Sequence, residues 1–327
     1  MDARPENDEA APVPFGSVPA APRVAGSPPD SVLLVDKPGG ITSHGVVARV
    51  RKALGTRKVG HAGTLDPMAT GLLVLGVGSA TRLLTWIVGA DKTYEATIRL
   101  GAGSSTDDAE GELGPVASES ALAAVSDEAI ADGVAALTGD LLQRPSAVSA
   151  IKVDGKRAYT RVRDGEDVEL PARPVTVHRF EILEIVREPG AIDVVAVIDC
   201  TSGTYIRALA RDLGAGLGVG GHLTALRRTR VGPFLVQDAA TLDDDLPARV
   251  VRPASVAEKL FPSVALDEQA AIDLAHGKRI TVDSPDGSPV AAIDPSGRLV
   301  GLVDIVGGVA RVLVNFPAPA SGSEGTP

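Results

Sequence analysis

The chain has 327 residues, a net charge of −10 and a single cysteine, Cys200. That length suggests about two domains with room for a sizeable core, and a lone thiol excludes an internal disulfide or a cysteine-rich zinc site. No apolar run reaches bilayer length. The N-terminus carries Asp2, Glu6, Asp8 and Glu9 without a basic stretch leading into an apolar one, which argues against a secretory signal and for a cytoplasmic protein.

In chain order, residues 1–29 are rich in Pro, Ala and Gly and hold too few large apolar groups to order themselves. Val32 to Val35 reads as a strand. Thr42 or Ser43 caps a helix that runs through Leu54 and stops at Gly55. Leu72 to Leu75 is a buried strand, Ser79 to Val88 a helix, and Thr93 to Leu100 alternates as a strand. Asp127 to Leu137 is helical. Ala147 to Val153 and Val175 to Val186 are strands, and Ala191 to Cys200 pairs with the latter across Glu188-Pro189-Gly190. Tyr205 to Leu213 is a helix ending at Gly214. After an acidic connector around Asp243-Asp244-Asp245 come a helix, Asp267 to Ala275, and strands at Val290 to Ile293, Leu299 to Val303 and Val309 to Val314. The mixture is α+β rather than a regular βαβ alternation.

Between the first helix and the Leu72 strand lies Gly60-His61-Ala62-Gly63-Thr64-Leu65-Asp66-Pro67-Met68-Ala69-Thr70-Gly71. Its glycines and proline forbid a regular helix. Asp66 therefore sits on a shaped loop braced by core, a common setting for chemistry.

Total charge argues against an RNA partner, but the charge is uneven. Residues 101–140 contain no Lys or Arg. Basic residues gather in three groups: Lys37, Arg49, Arg51, Lys52, Arg57 and Lys58; Arg144, Lys152, Lys156, Arg157, Arg161 and Arg163; Arg207, Arg211, Arg227, Arg228 and Arg230. A local basic face binds phosphates whatever the total charge. The histidines are scattered, Asp107-Asp108 lacks EF-hand spacing, and neither a P-loop nor a strand-linked dinucleotide fingerprint is present. No metal and no cofactor are expected.

The segment GHAGTLDPMATGLL resembles the catalytic signature of the tRNA pseudouridine-55 synthases, the TruB family. Four further segments match in order: Leu34 to Ser43, Asp91 to Ala96, Ser202 to Arg207 and Gly221 to Arg228. The resemblance implies the pseudouridine synthase fold, a long mixed sheet with a central catalytic cleft, over residues 30–245. It implies a small β-rich, PUA-like RNA-binding domain over 246–316, with disordered tails at 1–29 and 317–327 and a flexible thumb at 140–173. The implied activity turns uridine into pseudouridine at position 55 in the T-loop of tRNA, with the target base flipped out of its stack.

The same resemblance assigns Asp66 as the catalytic nucleophile, Arg207 as the arginine beside it, and Tyr94 as the ring that stacks on the base. An ionised aspartate in an apolar cleft independently calls for a cationic partner. A tyrosine can hold a uracil face and help move the C5 proton. His61, Tyr205 and Leu226 are implied RNA or base contacts. Lys37 either contacts RNA or steadies the Asp66 loop. The expected partner is the T-arm of tRNA, bound by a monomer without a guide RNA or a membrane. The alternatives are an RNA-folding helper with incidental catalysis, a guide-RNA-dependent relative, and a hydrolase, which no paired acid or base motif supports.

Overall fold

The computed structural model describes residues 30–146, 152–153, 156–157 and 171–317. The expected tails, apart from Pro317, lie outside the described residues, as do most of the 140–173 segment and of the strand expected at 147–153.

Among the described residues a nine-stranded sheet forms the main body. Its strands are β1 (Ser31–Lys37), β2 (Val59–His61), β3 (Thr70–Val77), β4 (Lys92–Leu100), β5 (Gly139–Gln143), β6 (Arg173–Glu188), β7 (Ala191–Cys200), β8 (Gly221–Val231) and β9 (Phe234–Leu235). The order is β1-β3-β8-β4-β7-β6-β5, with β2 on β3 and β9 on β8. β3 and β8 run parallel and the other pairs antiparallel, so the sheet is mixed.

Sequence alternation explains which face is buried. On β7, Ile192, Val194, Ala196, Ile198 and Cys200 point into the core, as Tyr94, Ala96, Ile98 and Leu100 do from β4. β8 was not expected as a strand, because Arg227, Arg228 and Arg230 break the apolar pattern. It is nevertheless central, between β3 and β4. Gly71 permits that neighbourhood: its φ is +99°, and a Cβ there would meet the Arg228 carbonyl oxygen at 2.3 Å.

Thr42 caps α1 (Ser43–Leu54), its side chain accepting from Gly45 N, and Gly55 ends it in the left-handed conformation. The single helix expected at 79–88 is instead a 3-10 turn, Gly78–Arg82, followed by α2 (Leu84–Val88). The Thr81 hydroxyl closes that turn on the Gly78 carbonyl at 2.8 Å, and the turn lies so close to β3 that a Cβ on Gly76 would sit 2.8 Å from Ala80 O. Ser118 and Ser126 cap α3 (Glu119–Ala124) and α4 (Asp127–Ala136). Next comes α5 (Ile206–Gly216), which passes through Gly214 instead of stopping there. A Cβ on Gly214 would lie 2.2 Å from the Gly220 carbonyl carbon, so this glycine lets a helix touch a turn.

The C-terminal part holds α6 (Pro253–Leu260), α7 (Glu268–Ala275) and a five-stranded sheet. Its strands are β10 (Ser263–Ala265), β11 (Ile280–Thr281), β12 (Gly287–Ile293), β13 (Leu299–Val306) and β14 (Val309–Asn315), in the order β10-β12-β13-β14-β11. Residues 246–251 pack on the first sheet: Leu246 joins Leu33 and Val46 in one core, and Val251 exchanges backbone hydrogen bonds with Val32. Trp86 meets Phe261 edge-on at 5.8 Å, and Phe234 shares a core with Phe316.

Candidate active site

The Asp66 loop links β2 to β3, and both neighbours of Asp66 are clamped. On one side Ser43, buried in the first turn of α1, donates to the Leu65 carbonyl at 3.0 Å and accepts from Leu65 N at 2.9 Å. On the other, the Pro67 carbonyl accepts from Gly40 N at 2.9 Å and from the Lys37 ammonium at 3.1 Å. Lys37 also donates to the carbonyls of Ile41 at 2.7 Å and Pro38 at 3.1 Å. Its side chain is fully buried, which lowers its pKa to about 8. Of the two expected roles, the geometry fits the bracing one; a buried ammonium shared among three carbonyls is not presented to an RNA.

Arg207 enters from the first turn of α5. Its Nε lies 3.0 Å from Asp66 Oδ2, and Nη1 reaches Asp108 Oδ2 at 3.3 Å and the Thr106 carbonyl at 2.8 Å. One cation therefore sits between two carboxylates. Asp108 is buried, whereas Asp66 leaves 35 % of its side chain open to the cleft. Burial raises the Asp66 carboxyl above its ordinary value; Arg207 and Lys37 oppose that shift and Asp108 adds to it.

Asp66 opens onto a cavity of about 320 Å³ whose wall includes Lys92, Tyr94, Tyr205, Arg207, Leu226 and Arg228. Tyr205 is held at its backbone by Gln143 of β5, whose amide accepts from Tyr205 N at 2.8 Å and donates to Tyr205 O at 3.0 Å. Tyr94 and Leu226 are apolar walls, 7 % and 8 % exposed. A carboxylate, a guanidinium and apolar ring surfaces thus converge on one cavity, which has ample room for a pyrimidine base.

Residues 51–206 match the TruB family pseudouridylate synthase N-terminal domain. Residues 207–266 match the tRNA pseudouridylate synthase B C-terminal domain, and 261–317 the C-terminal domain of tRNA pseudouridine synthase II. The tRNA pseudouridine synthase B of Leifsonia xyli subsp. xyli is 63 % identical over 88 % of this chain and 96 % of its own. That of an Arthrobacter species is 53 % identical over 90 % and 98 %. The chain belongs to the TruB family. Among solved structures, a chain of a Cbf5–Nop10–Gar1 complex is 27 % identical with a TM-score of 0.65, covering 88 % of this chain and 85 % of that one.

The fold brings Asp66, Arg207, Tyr94, Tyr205 and Leu226 to one cavity from four separate segments. His61 lies outside its lining, on β2, where its ring meets that of His44 edge-on at 5.5 Å. Of the basic groups, Arg49, Arg51, Lys52, Arg57 and Lys58 are exposed on and after α1. The third group is spent internally: Arg227 forms a two-bond pair with Asp36, Arg230 reaches Asp199, Arg211 reaches Asp107, and Arg207 and Arg228 are buried. Arg211, Arg227 and Arg230 nevertheless keep about a third of their side chains exposed. Sequence reasoning missed Asp108, Lys92, Arg228, Gln143 and Ser43. Lys92 carried a signal, since it stands two residues before Tyr94 and so shares its face of a strand; Ser43 and Arg228 lay within the matching segments Leu34 to Ser43 and Gly221 to Arg228.

Proposed function

We propose that this chain isomerises uridine to pseudouridine at position 55 in the T-loop of tRNA, with Asp66 as nucleophile. The observation that carries this reading is the Asp66–Arg207 pair opening onto a cavity of about 320 Å³ walled by Tyr94, Tyr205 and Leu226, in a chain of the TruB family. The reaction breaks the N1–C1′ bond, turns the uracil and rejoins it through C5. It needs no oxidant and no energy source, and it suits a carboxylate that attacks and then departs. Arg207 favours the ionised form of Asp66 and so opposes the upward shift that burial imposes.

The target base leaves its stack to reach Asp66, at a cost of a few kcal/mol, which is smallest in a loop. Tyr94 stacks on it, Leu226 and Tyr205 close the sides, and His61 contacts the RNA at the cleft's approach. The exposed cations of α1 and its following turn take phosphates of the T-arm. The C-terminal sheet acts as a PUA-like RNA-binding module. The protein works in the cytoplasm as a monomer, without guide RNA and without a cofactor.

The test is incubation with an unmodified tRNA transcript tritiated at uracil C5, with no metal or guide RNA added, alongside Asp66→Asn. Tritium release by the wild type alone is expected. Intact tRNA binding without release would instead leave an RNA-folding helper, and release only with an added guide RNA would make it a guided enzyme.

A further inference from the structure

We propose that Arg228 is a positioning residue for Tyr94: packed beside it across the strands, it supplies, with Lys92, the positive charge under which the Tyr94 oxygen takes the proton from uracil C5. This rests on the isomerase reading above.

The geometry begins with strand register. Tyr94 on β4 and Arg228 on β8 are direct cross-strand partners, and such partners stand side by side on one face. Lys92 is two residues before Tyr94 on β4, and all three side chains line the same cavity. Arg228 and Lys92 converge on Gly63 of the Asp66 loop. A Cβ there would lie 3.5 Å from Arg228 Nη1 and 3.7 Å from Lys92 Cε.

Both cations are buried, Arg228 to 1 % exposure and Lys92 to 5 %. Among the described residues their hydrogen bonds run to backbone carbonyls. Arg228 donates to Leu72 O at 2.8 Å and Gly63 O at 3.1 Å, and Lys92 to Val88 O at 3.0 Å and Ala90 O at 2.5 Å. Carbonyl dipoles hold a cation without cancelling its charge. Burial holds the Tyr94 phenol above its ordinary value; the Arg228 charge opposes that shift and favours the anion, while Asp66 adds to it. Burying two cations in one wall is costly, and a merely structural wall of apolar residues would avoid that cost. Such an arrangement in a cleft wall marks function.

The proton balance is simple. After the uracil is joined to C1′ through C5, that carbon still carries its hydrogen. The Tyr94 phenolate, having released its own proton to solvent, takes the C5 proton. The C–H electron pair forms the C5–C6 double bond, the C6–N1 π pair moves to N1, and N1 gains a proton from solvent. A hydroxyl works as this base only where positive charge stabilises its anion, as Arg228 and Lys92 do.

The experiment compares two tRNA transcripts, one with uridine and one with 5-fluorouridine at the target site. Fluorine cannot leave C5 as a cation, so on that transcript cleavage of N1–C1′ occurs but the Tyr94 step does not. Loss of each nucleoside is read from nuclease digests under single turnover, for the wild type, Arg228→Gln and Arg228→Lys. We expect Arg228→Gln to slow uridine conversion by about 10²-fold while consuming 5-fluorouridine within about threefold of the wild-type rate. If Arg228→Gln does not fold, Arg228→Lys, which keeps the charge without the planar fork, should show the same selectivity at about tenfold. Equal losses on both transcripts, or no loss on uridine, would overturn the proposal with the isomerase reading intact. A wild type inert on both transcripts would overturn that reading, and this one with it.

Discussion

The two walls of the cleft handle charge in opposite ways. On the Asp66 wall, Arg207 lies between Asp66 and Asp108, so cation and anions compensate one another. On the Tyr94 wall, Lys92 and Arg228 are fixed by backbone carbonyls, and the group beside them is a phenol. Ion pairing fixes where a charge sits and opposes the effect of burial on a carboxylate; carbonyl anchoring keeps the charge available to whatever occupies the cavity. A nucleophile needs the first treatment and a base that must become an anion needs the second.

The comparison breaks most completely at Asp66. Asp66→Asn keeps shape and removes the charge, so turnover should fall by on the order of 10³- to 10⁴-fold, with tRNA affinity by filter binding little changed. Equal loss of both would show that Asp66 serves binding. Arg207→Gln should cost about 10²- to 10³-fold in kcat and move the acid limb of the pH–rate profile upward. The sign follows from the pairing: burial already raises the Asp66 carboxyl, Arg207 lowers it, and only the ionised form attacks. Asp108→Asn removes a like charge, so the limb should move downward instead, even as kcat drops by about tenfold through a less well held Arg207. Shifts of the same sign in both variants would refute the compensated-wall picture.

Smaller effects test the scaffold that sets the walls opposite each other. Gly71→Ala would drive a Cβ into the Arg228 backbone, and a loss of about 2–3 kcal/mol in unfolding free energy is expected by urea titration. An unchanged midpoint would mean that β3 and β8 separate easily there. Ser43→Ala unlatches Leu65 beside Asp66 and should cost about 1 kcal/mol of stability, together with a several-fold lower kcat at unchanged tRNA affinity.

Much of the fold was legible because it is local. Alternation marked β4 and β7, Thr42 and Gly55 bounded α1, and the glycines and proline around Asp66 forced a loop. The helix expected at 79–88 failed because its first turn is dictated by contact with β3, and α5 outran Gly214 because that glycine serves a packing contact. β8 was illegible for a sharper reason. Its arginines read as surface charge, but the fold supplies them with carbonyls and with Asp36 and Asp199 from elsewhere in the chain.

By itself the sequence determined the family, the Asp66 loop and five of the residues that meet in the cleft (Asp66, Tyr94, Tyr205, Arg207 and Leu226), since these are written in short contiguous segments. Tertiary structure alone decided that Lys37 is a buried brace, that Asp108 shares Arg207 with Asp66, and that Arg228 stands beside Tyr94. Those facts depend on pairings across 99 residues for Arg207 with Asp108 and 156 for Arg228 with Leu72. Burial and strand register, which no local periodicity encodes, turn such distant residues into neighbours.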